Sequence, residues 1–172
     1  MSELTATILE RIRDVADYPK PGVGFKDITP LLADPVAFAA VVEELATLHE
    51  ADKIVGIEAR GFILAAPVAY RAGAGFVPVR KEGKLPAATF AESYDLEYGS
   101  ATVEVHRDAF EPGDRVLIID DVLATGGTAA ATVELVRRTG AEVVGVAFLM
   151  ELAFLKGRER LTGVDIRSLV IV

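Results

Sequence analysis

The strongest constraint on the fold is a change of hydrophobic period within residues 116–149. Val116–Ile119 is an uninterrupted apolar run of the kind that forms a buried strand, and a Thr-Gly-Gly-Thr loop follows it. The pattern is helical from about Thr128 to Thr139, and Gly140 supplies a typical helix end. Val143–Leu149 is then a second apolar run. This order predicts a strand, a helix and a second strand, which is the unit of a parallel sheet.

A second unit of the same kind precedes this one. Ile54–Ile57 is a buried strand, "EARG" is a turn, Phe62–Arg71 is a helix that ends near Gly73, and Phe76–Arg80 is the next strand. Two such units predict the α/β fold class, with a mainly parallel twisted sheet and helices on both faces. Ligands of such sheets bind beyond the carboxyl ends of the strands. Because "EARG" and "DDVLATGGT" both occupy that position, we expect the functional site there.

Residues 1–33 are predicted to form an N-terminal helix and a hood segment. An amphipathic helix that stops before Pro19 is predicted by apolar residues at helical spacing, namely Leu4, Ile8, Ile12 and Val15. The following stretch, "YPKPGVGFKDITPLL", is rich in Pro and Gly and is predicted to be an ordered loop. Asp34 then has the position of a helix N-cap, with Pro35 at the first helical position of a helix to about Leu48.

The two strand-helix-strand units are joined by a long connection, residues 81–99. It contains several Gly and Pro residues and two tyrosines, which is more typical of a mobile lid loop than of core. The chain has no repeat, low-complexity tract or long flexible linker. We therefore predict a single domain over residues 1–172.

Composition excludes several classes of function. The net charge of −8 and the pI near 4.8 argue against a broad nucleic-acid surface, which needs an excess of Lys and Arg. The absence of Cys excludes disulfides, thiolate metal ligands and a Cys nucleophile. Charged residues interrupt the N-terminus where a signal peptide would be apolar, and no apolar run is long enough to span a membrane. We expect a cytoplasmic protein that binds neither nucleic acid nor membrane.

The Thr-Gly-Gly-Thr loop has the chemistry of a phosphate site. Gly126 and Gly127 leave backbone N–H groups open at the positive end of a helix, and Thr125 and Thr128 add hydroxyl donors. The loop matches neither Walker A nor the dinucleotide fingerprint. The alternative to a phosphate site is an ordinary capped helix that follows a strand and carries two solvated acids before it.

The acids before the loop narrow the ligand. Asp120 and Asp121 would repel a phosphate, so they must face another part of the same ligand, either sugar hydroxyls or a Mg2+ ion. A ribose 5-phosphate group meets both requirements.

The stretch "VLIIDDVLATGGT" resembles the diphosphosugar-binding motif of the type I phosphoribosyltransferases. The adenine-specific members of that family are similar over nearly the whole chain, through "YPKPGVGFKDITPLL", "GIEARGF", "PVRKEGKLP", "ESYDLEYG" and "LKGRERL". Relatives that act on 6-oxopurines carry an Asp-Lys pair after the phosphate loop, whereas "VVGVAFLMELAFL" has no Lys. The resemblance therefore implies a type I phosphoribosyltransferase fold and transfer of ribose 5-phosphate from phosphoribosyl diphosphate to N9 of adenine.

The resemblance also implies roles for individual residues. The catalytic residues would be Glu97, as the acid-base group at N9, and Arg60 at the diphosphate. Adenine would be bound by Gly24, Phe25 and Lys26, with Tyr98 beside Glu97 in the lid. The sugar phosphate would be bound by Asp120, Asp121, Ala124, Thr125, Gly126, Gly127 and Thr128. The remaining diphosphate charge would be met by Arg80, Lys81 and Lys84, with Mg2+ held mainly through diphosphosugar oxygens. In the family these basic residues complete a neighbouring subunit's site, which implies a homodimer.

Each role has an alternative. The cationic run could be a solvated face, Phe25 a core anchor and Glu97 a surface charge. The resemblance implies a cis peptide between Glu58 and Ala59, and an ordinary trans turn is the alternative. Three other functions stay open: a non-catalytic diphosphosugar-binding regulator, a phosphoribosyltransferase for another base, and a Mg2+-dependent phosphatase with Asp120 or Asp121 as nucleophile.

Overall fold

The computed structural model describes residues 2–96 and 99–172. The chain divides into two compact units, one up to Glu44 and one from Leu45 onward. Within the described residues, no helix has the length and apolar character needed to cross a bilayer.

The first unit contains short elements around the start of a longer helix. They are α1 (Glu3–Arg11), β1 (Arg13–Val15), β2 (Phe25–Asp27), α2 (Thr29–Ala33) and the beginning of α3 (Pro35–Thr47). Ser2 caps α1, since its hydroxyl accepts a hydrogen bond from the Thr5 N–H at 3.1 Å. The predicted cap of α3 is confirmed, because the Asp34 carboxylate accepts from the N–H groups of Val36 and Ala37 at 3.0 and 3.1 Å.

Two predictions for this unit are wrong. The helix ends at Arg11, and Val15 lies in β1, which pairs with β2 in antiparallel register. The stretch predicted as one ordered loop contains both β2 and α2. Both strands were missed for one reason: β1 and β2 pair across ten to fourteen residues, and helical spacing in a short window contains no information about such a partner.

The second unit is built on a seven-stranded sheet. Its strands are β3 (Lys53–Ile57), β4 (Gly75–Lys81), β5 (Thr89–Asp95), β6 (Ser100–His106), β7 (Arg115–Leu123), β8 (Glu142–Glu151) and β9 (Ile166–Ile171), in the order β5-β6-β4-β3-β7-β8-β9. Strands β4, β3, β7, β8 and β9 are parallel, and β5 and β6 are antiparallel additions at one edge. The predicted mainly parallel sheet is confirmed.

Helices α4 (Gly61–Ala72) and α5 (Gly127–Arg138) pack on opposite faces of this sheet. In β3 the side chain of Val55 belongs to the core cluster under α5, whereas a Cβ on the next residue, Gly56, would meet Ala65 of α4. Alternate residues of a strand point to opposite faces, so a continuous apolar run such as that of β3 is buried on both sides. The apolar runs of the sequence therefore mark central strands.

The described part of the connection predicted over residues 81–99, which reaches residue 96, is more ordered than predicted. Thr89–Asp95 forms β5, which pairs along its whole length with β6 from Thr89↔His106 to Asp95↔Ser100. Strand β5 alternates between half-buried and exposed residues and lacks the apolar run that identified the central strands. The predicted loop is therefore wrong over these residues, although residues 82–88 contain no helix or strand.

Candidate active site

The strands β3, β4 and β7 end at one edge of the sheet because they are parallel. The turn Glu58–Arg60 follows β3, and the basic residues from Arg80 to Lys84 lie at the end of β4. Strand β7 runs to Leu123, so Asp120 and Asp121 lie inside the strand. The prediction that both acids follow the strand is wrong. Three of the sequence stretches predicted to form the site are thus brought to the same end of the sheet.

A pocket lies where β7 passes into α5. Its lining combines Asp120 with the whole predicted phosphate loop, and the residues are Asp120, Val122, Leu123, Ala124, Thr125, Gly126, Gly127, Thr128, Ala129 and Phe148. The loop ends at the first turn of α5, where unpaired N–H groups and the helix dipole favour an anion. No acidic residue occupies that first turn. The pocket therefore combines backbone amide donors with a carboxylate.

The two loop glycines are required by packing inside the protein. Gly126 has φ = +80°, and a Cβ there would overlap the backbone of Gly157. A Cβ on Gly157 would in turn overlap the carbonyl of Ala124. A Cβ on Gly127 would lie 3.1 Å from the ring of Tyr94. The loop is therefore supported from outside by the 3-10 turn Gly157–Arg160 and by β5.

The acid pair is placed by its own backbone and by Arg60. Asp120 Oδ1 accepts a hydrogen bond from the Asp121 N–H at 2.9 Å, and Asp121 Oδ2 lies 2.7 Å from Arg60 Nε. Burial raises the pKa of Asp120, and the negative charge of Asp121 raises it further. Burial also raises the pKa of Asp121, against the opposing charge of Arg60. One cation is thus shared by two acids that the protein leaves incompletely neutralised.

Glu58, which was not among the predicted site residues, contacts the basic residues at the end of β4. Glu58 Oε1 lies 2.5 Å from Lys84 Nζ, and Glu58 Oε2 accepts from the Lys81 N–H at 2.9 Å and lies 3.5 Å from Arg80 Nε. Burial opposes ionisation, but the bonds from Lys84 and Lys81 and the charge of Arg80 hold the pKa of Glu58 below its ordinary value. The predicted cis peptide between Glu58 and Ala59 is confirmed.

The predicted adenine-binding residues lie in the first unit. Phe25 begins β2, and its ring centroid lies 5.0 Å from that of Tyr18 in an edge-to-face contact. Lys26 forms an ion pair with Asp14 of the paired strand β1. Gly24 precedes β2 and is exposed. Glu97 and Tyr98 lie outside the described residues, so the predictions for them stay predictions.

The described residues contain no group of three or more His, Cys, Asp or Glu side chains arranged to hold a metal. Asp120 lines the pocket, however, and the cation that favours its ionised form, Arg60, is already paired with Asp121. Mg2+ commonly binds through one or two carboxylates together with substrate phosphate oxygens. The donor set therefore fits a Mg2+ ion that arrives with a diphosphosugar, with Asp120 as the available protein ligand.

Comparisons with known proteins agree with this geometry. Residues 28–167 match the model of the phosphoribosyl transferase domain. The adenine phosphoribosyltransferase of Streptomyces coelicolor is 67% identical over 161 residues, which is 92% of this chain and 88% of that protein. The adenine phosphoribosyltransferase of Thermobifida fusca is 61% identical over the whole of both chains.

Solved structures are similar over the same span. The crystal structure of adenine phosphoribosyltransferase from Rhodothermus marinus has a TM-score of 0.94 at 54% identity and covers 98% of both chains. The enzyme of the same name from Saccharomyces cerevisiae, solved with an imino-altritol bisphosphate and adenine, has a TM-score of 0.92 at 37% identity and covers 98% of this chain and 99% of that one.

Proposed function

This chain belongs to the phosphoribosyltransferase family, and we propose that it transfers the 5-phosphoribosyl group of phosphoribosyl diphosphate to N9 of adenine, giving AMP and diphosphate. The reaction is that of a pentosyltransferase, EC 2.4.2.7, and it salvages adenine. The observation that carries the proposal is the pocket in which Asp120 and a Gly-Gly loop at a helix N-terminus stand together. The match to relatives of this activity over the full length of the chain supports the same substrate pair.

The pocket fits the two ends of a ribose 5-phosphate. The amides of Ala124–Thr128 and the hydroxyls of Thr125 and Thr128 would donate to the 5-phosphate at the positive end of α5. Asp120 and Asp121 would accept hydrogen bonds from the ribose hydroxyls. Their raised pKa values make this favourable, since a hydroxyl donor stabilises a carboxylate that the protein itself leaves under-neutralised.

The reaction develops negative charge on the departing diphosphate and positive charge on the sugar. Arg60 follows β3 at the same edge as the phosphate loop and would meet the diphosphate while it holds Asp121. Arg80, Lys81 and Lys84 would supply further positive charge. The carboxylate of Glu58 pairs with Arg80 and Lys84, so these two charges are held in place before substrate arrives. Asp120 would hold a Mg2+ ion that arrives with the diphosphosugar, and the ion would neutralise part of the negative charge of that substrate.

Adenine would be recognised by the segment Gly24–Lys26. Phe25 offers a ring face for stacking, and the backbone of its neighbours offers the C=O and N–H that the 6-amino group and a ring nitrogen need. Relatives that act on 6-oxopurines read the 6-oxo group with an Asp-Lys pair after the phosphate loop. The corresponding stretch here, "VVGVAFLMELAFL", contains no Lys. We therefore expect adenine to be used and hypoxanthine and guanine to be rejected.

Glu97 is proposed as the acid-base group at N9, with Tyr98 beside it. Its role is supported by the motif "DLEYG" alone. Glu97→Gln keeps the shape of the side chain and removes its basicity, so kcat should fall while affinity for phosphoribosyl diphosphate is kept. A variant as active as the wild type would return Glu97 to the status of a surface charge.

A homodimer in the cytoplasm completes the proposal. Ile63 and Tyr70 lie two turns apart on one side of α4 and are 44% and 90% exposed. An exposed apolar stripe on a helix that begins next to the Glu58–Arg60 turn would suit a second copy of the chain. Sedimentation of the purified protein tests this, and a monomer at the working concentration of the assay would contradict it.

The activity itself is tested by following AMP formation from adenine and phosphoribosyl diphosphate. Parallel reactions with hypoxanthine and guanine test the choice of base. No AMP in the first reaction would refute the proposed function, and comparable turnover of guanine would refute the proposed specificity.

A further inference from the structure

Tyr94 makes a contact with the phosphate loop that the proposed function does not use. The hydroxyl of Thr128 donates a hydrogen bond to the Tyr94 hydroxyl oxygen at 2.9 Å. Thr128 lines the phosphate pocket, whereas Tyr94 is not among the described residues that line it. Tyr94 therefore contacts Thr128, a residue proposed to bind the phosphate, without lining the pocket itself.

The position of Tyr94 is fixed on several sides. Its ring packs against the core cluster of the second unit and fills the space that a Cβ on Gly127 would need. Strand β5 is also tied to the far end of α5, since Arg138 donates to the Ala91 carbonyl and to the Glu92 carboxylate, both at 2.8 Å. The strand is thus attached to the helix near both ends, and the tyrosine hydroxyl has little freedom to move away.

A hydroxyl has one proton but can also accept. If Thr128 is to donate its proton to a phosphate oxygen, its bond with Tyr94 must reverse, so that Tyr94 donates to Thr128 Oγ1. A hydroxyl that accepts one hydrogen bond donates a stronger one, because neighbouring bonds in a chain polarise each other. The same bond holds the Thr128 side chain in one rotamer and spares the ligand the entropy of ordering it.

We propose that Tyr94 is a positioning residue for the 5-phosphate, acting through the Thr128 hydroxyl. The inference rests on the proposed function, because it requires Ala124–Thr128 to be the phosphate site. It also gives β5 a role. The strand precedes Glu97 in the sequence, and Tyr94 connects the strand to the loop that would hold the sugar phosphate.

Calorimetric titration with two separate probes tests this. By the proposed function, ribose 5-phosphate would occupy the phosphate loop, and inorganic diphosphate would bind beside Arg60. Tyr94→Phe should weaken binding of ribose 5-phosphate about fivefold, the loss of one ordinary hydrogen bond, and leave binding of diphosphate unchanged. In steady state, KM for phosphoribosyl diphosphate should rise by a similar factor, with kcat nearly kept. Ser93→Ala, which removes a hydroxyl–hydroxyl hydrogen bond from the neighbouring residue of β5, is the matched control.

Thr128→Val provides the second arm. If Tyr94 acts through Thr128, adding Tyr94→Phe to Thr128→Val should cause no further loss of ribose 5-phosphate affinity. Unchanged or tighter binding of ribose 5-phosphate by Tyr94→Phe would overturn the inference, as would an equal loss for both probes or additive losses in the double variant. A wild-type protein that binds neither probe would refute the proposed function instead, so the two failures are distinct.

Discussion

The two anion-binding sides of the site are built in different ways. The phosphate-loop region, residues 120–128, is shaped by backbone: Gly126 lies against the backbone of Gly157, and Gly127 lies against the Tyr94 ring. The cation region, Glu58 with residues 80–84, is shaped by side-chain charge around one carboxylate. The carboxylates of the two regions also differ. The pKa of Asp120 is raised, whereas the pKa of Glu58 is lowered.

Stability and function coincide in the cation region and conflict in the phosphate-loop region. In the cation region, the charges stabilise each other and the fold together. In the phosphate-loop region, two acids share Arg60 at a cost in stability, and a bound sugar would relieve that cost. Backbone packing should make the phosphate-loop region intolerant of added atoms, whereas the cation region should respond to pH and salt.

The largest effect is expected from Gly126→Ala. The new Cβ would overlap Gly157 and force a non-glycine residue to a positive φ, so unfolding free energy should fall by about 3 kcal/mol, with KM for phosphoribosyl diphosphate strongly raised. Urea unfolding and steady-state kinetics measure both. The control is Gly113→Ala, which has a similar φ of +87° but no atom within 4 Å of the new Cβ, and it should lose only about 1 kcal/mol. Equal losses in the two variants would show that crowding by Gly157 is unimportant.

Asp120→Asn should separate activity from stability. An amide accepts fewer and weaker hydrogen bonds than a carboxylate, so kcat/KM for phosphoribosyl diphosphate should fall about 30-fold. Because the folded-state pKa of Asp120 is raised, ionisation costs stability that is absent below the ordinary carboxyl pKa and grows as pH rises through the folded value.

The melting temperature of Asp120→Asn at pH 7 should therefore exceed that of the wild type, by an amount equivalent to about 1 kcal/mol, and the difference should vanish near pH 4. Asp108→Asn, an exposed aspartate with the same change of charge, is the control. A destabilised Asp120→Asn would contradict the under-neutralised acid pair.

The smallest effect is expected from Glu58→Gln. The folded-state pKa of Glu58 is lowered, so its contribution to stability is complete above the ordinary Glu pKa and is lost as pH falls through the folded value. The variant should lose about 1 kcal/mol at pH 7, less in high salt, and the loss should shrink below about pH 4. Glu142→Gln removes an equal charge from an exposed position and should change little. A loss that is independent of pH and salt would assign Glu58 to packing.

The sequence predicted the phosphate-loop region better than the cation region for a physical reason. A strand, a Gly-Gly turn and a helix are encoded within one short window, as is the cap at Asp34. The cation region depends on a contact between residues more than twenty positions apart, so the role of Glu58 was missed although an acid among cations was a usable signal.

Antiparallel strand pairing caused the other errors as well. The antiparallel pairs β1–β2 and β5–β6 contain few continuous apolar runs, and their half-buried residues become visible only when the partner strand is known. Tyr94 and Gly157 were missed as supports of the loop. Each packs so closely against a loop glycine, Tyr94 against Gly127 and Gly157 against Gly126, that a side chain there would clash, and the sequence does not show such a contact.

The contact between Gly126 and Gly157 has a consequence for the order in which the protein matures during synthesis. Chains emerge from the ribosome with the N-terminus first, and domains fold as their segments become available. Strand β7 and α5 leave well before the turn at Gly157, which β8 separates from them. A nascent chain can therefore display the whole motif before the backbone that shapes it has been made. We expect competence to bind the sugar phosphate to arise late in translation, after residue 157, and a chain truncated after β8 to lack it.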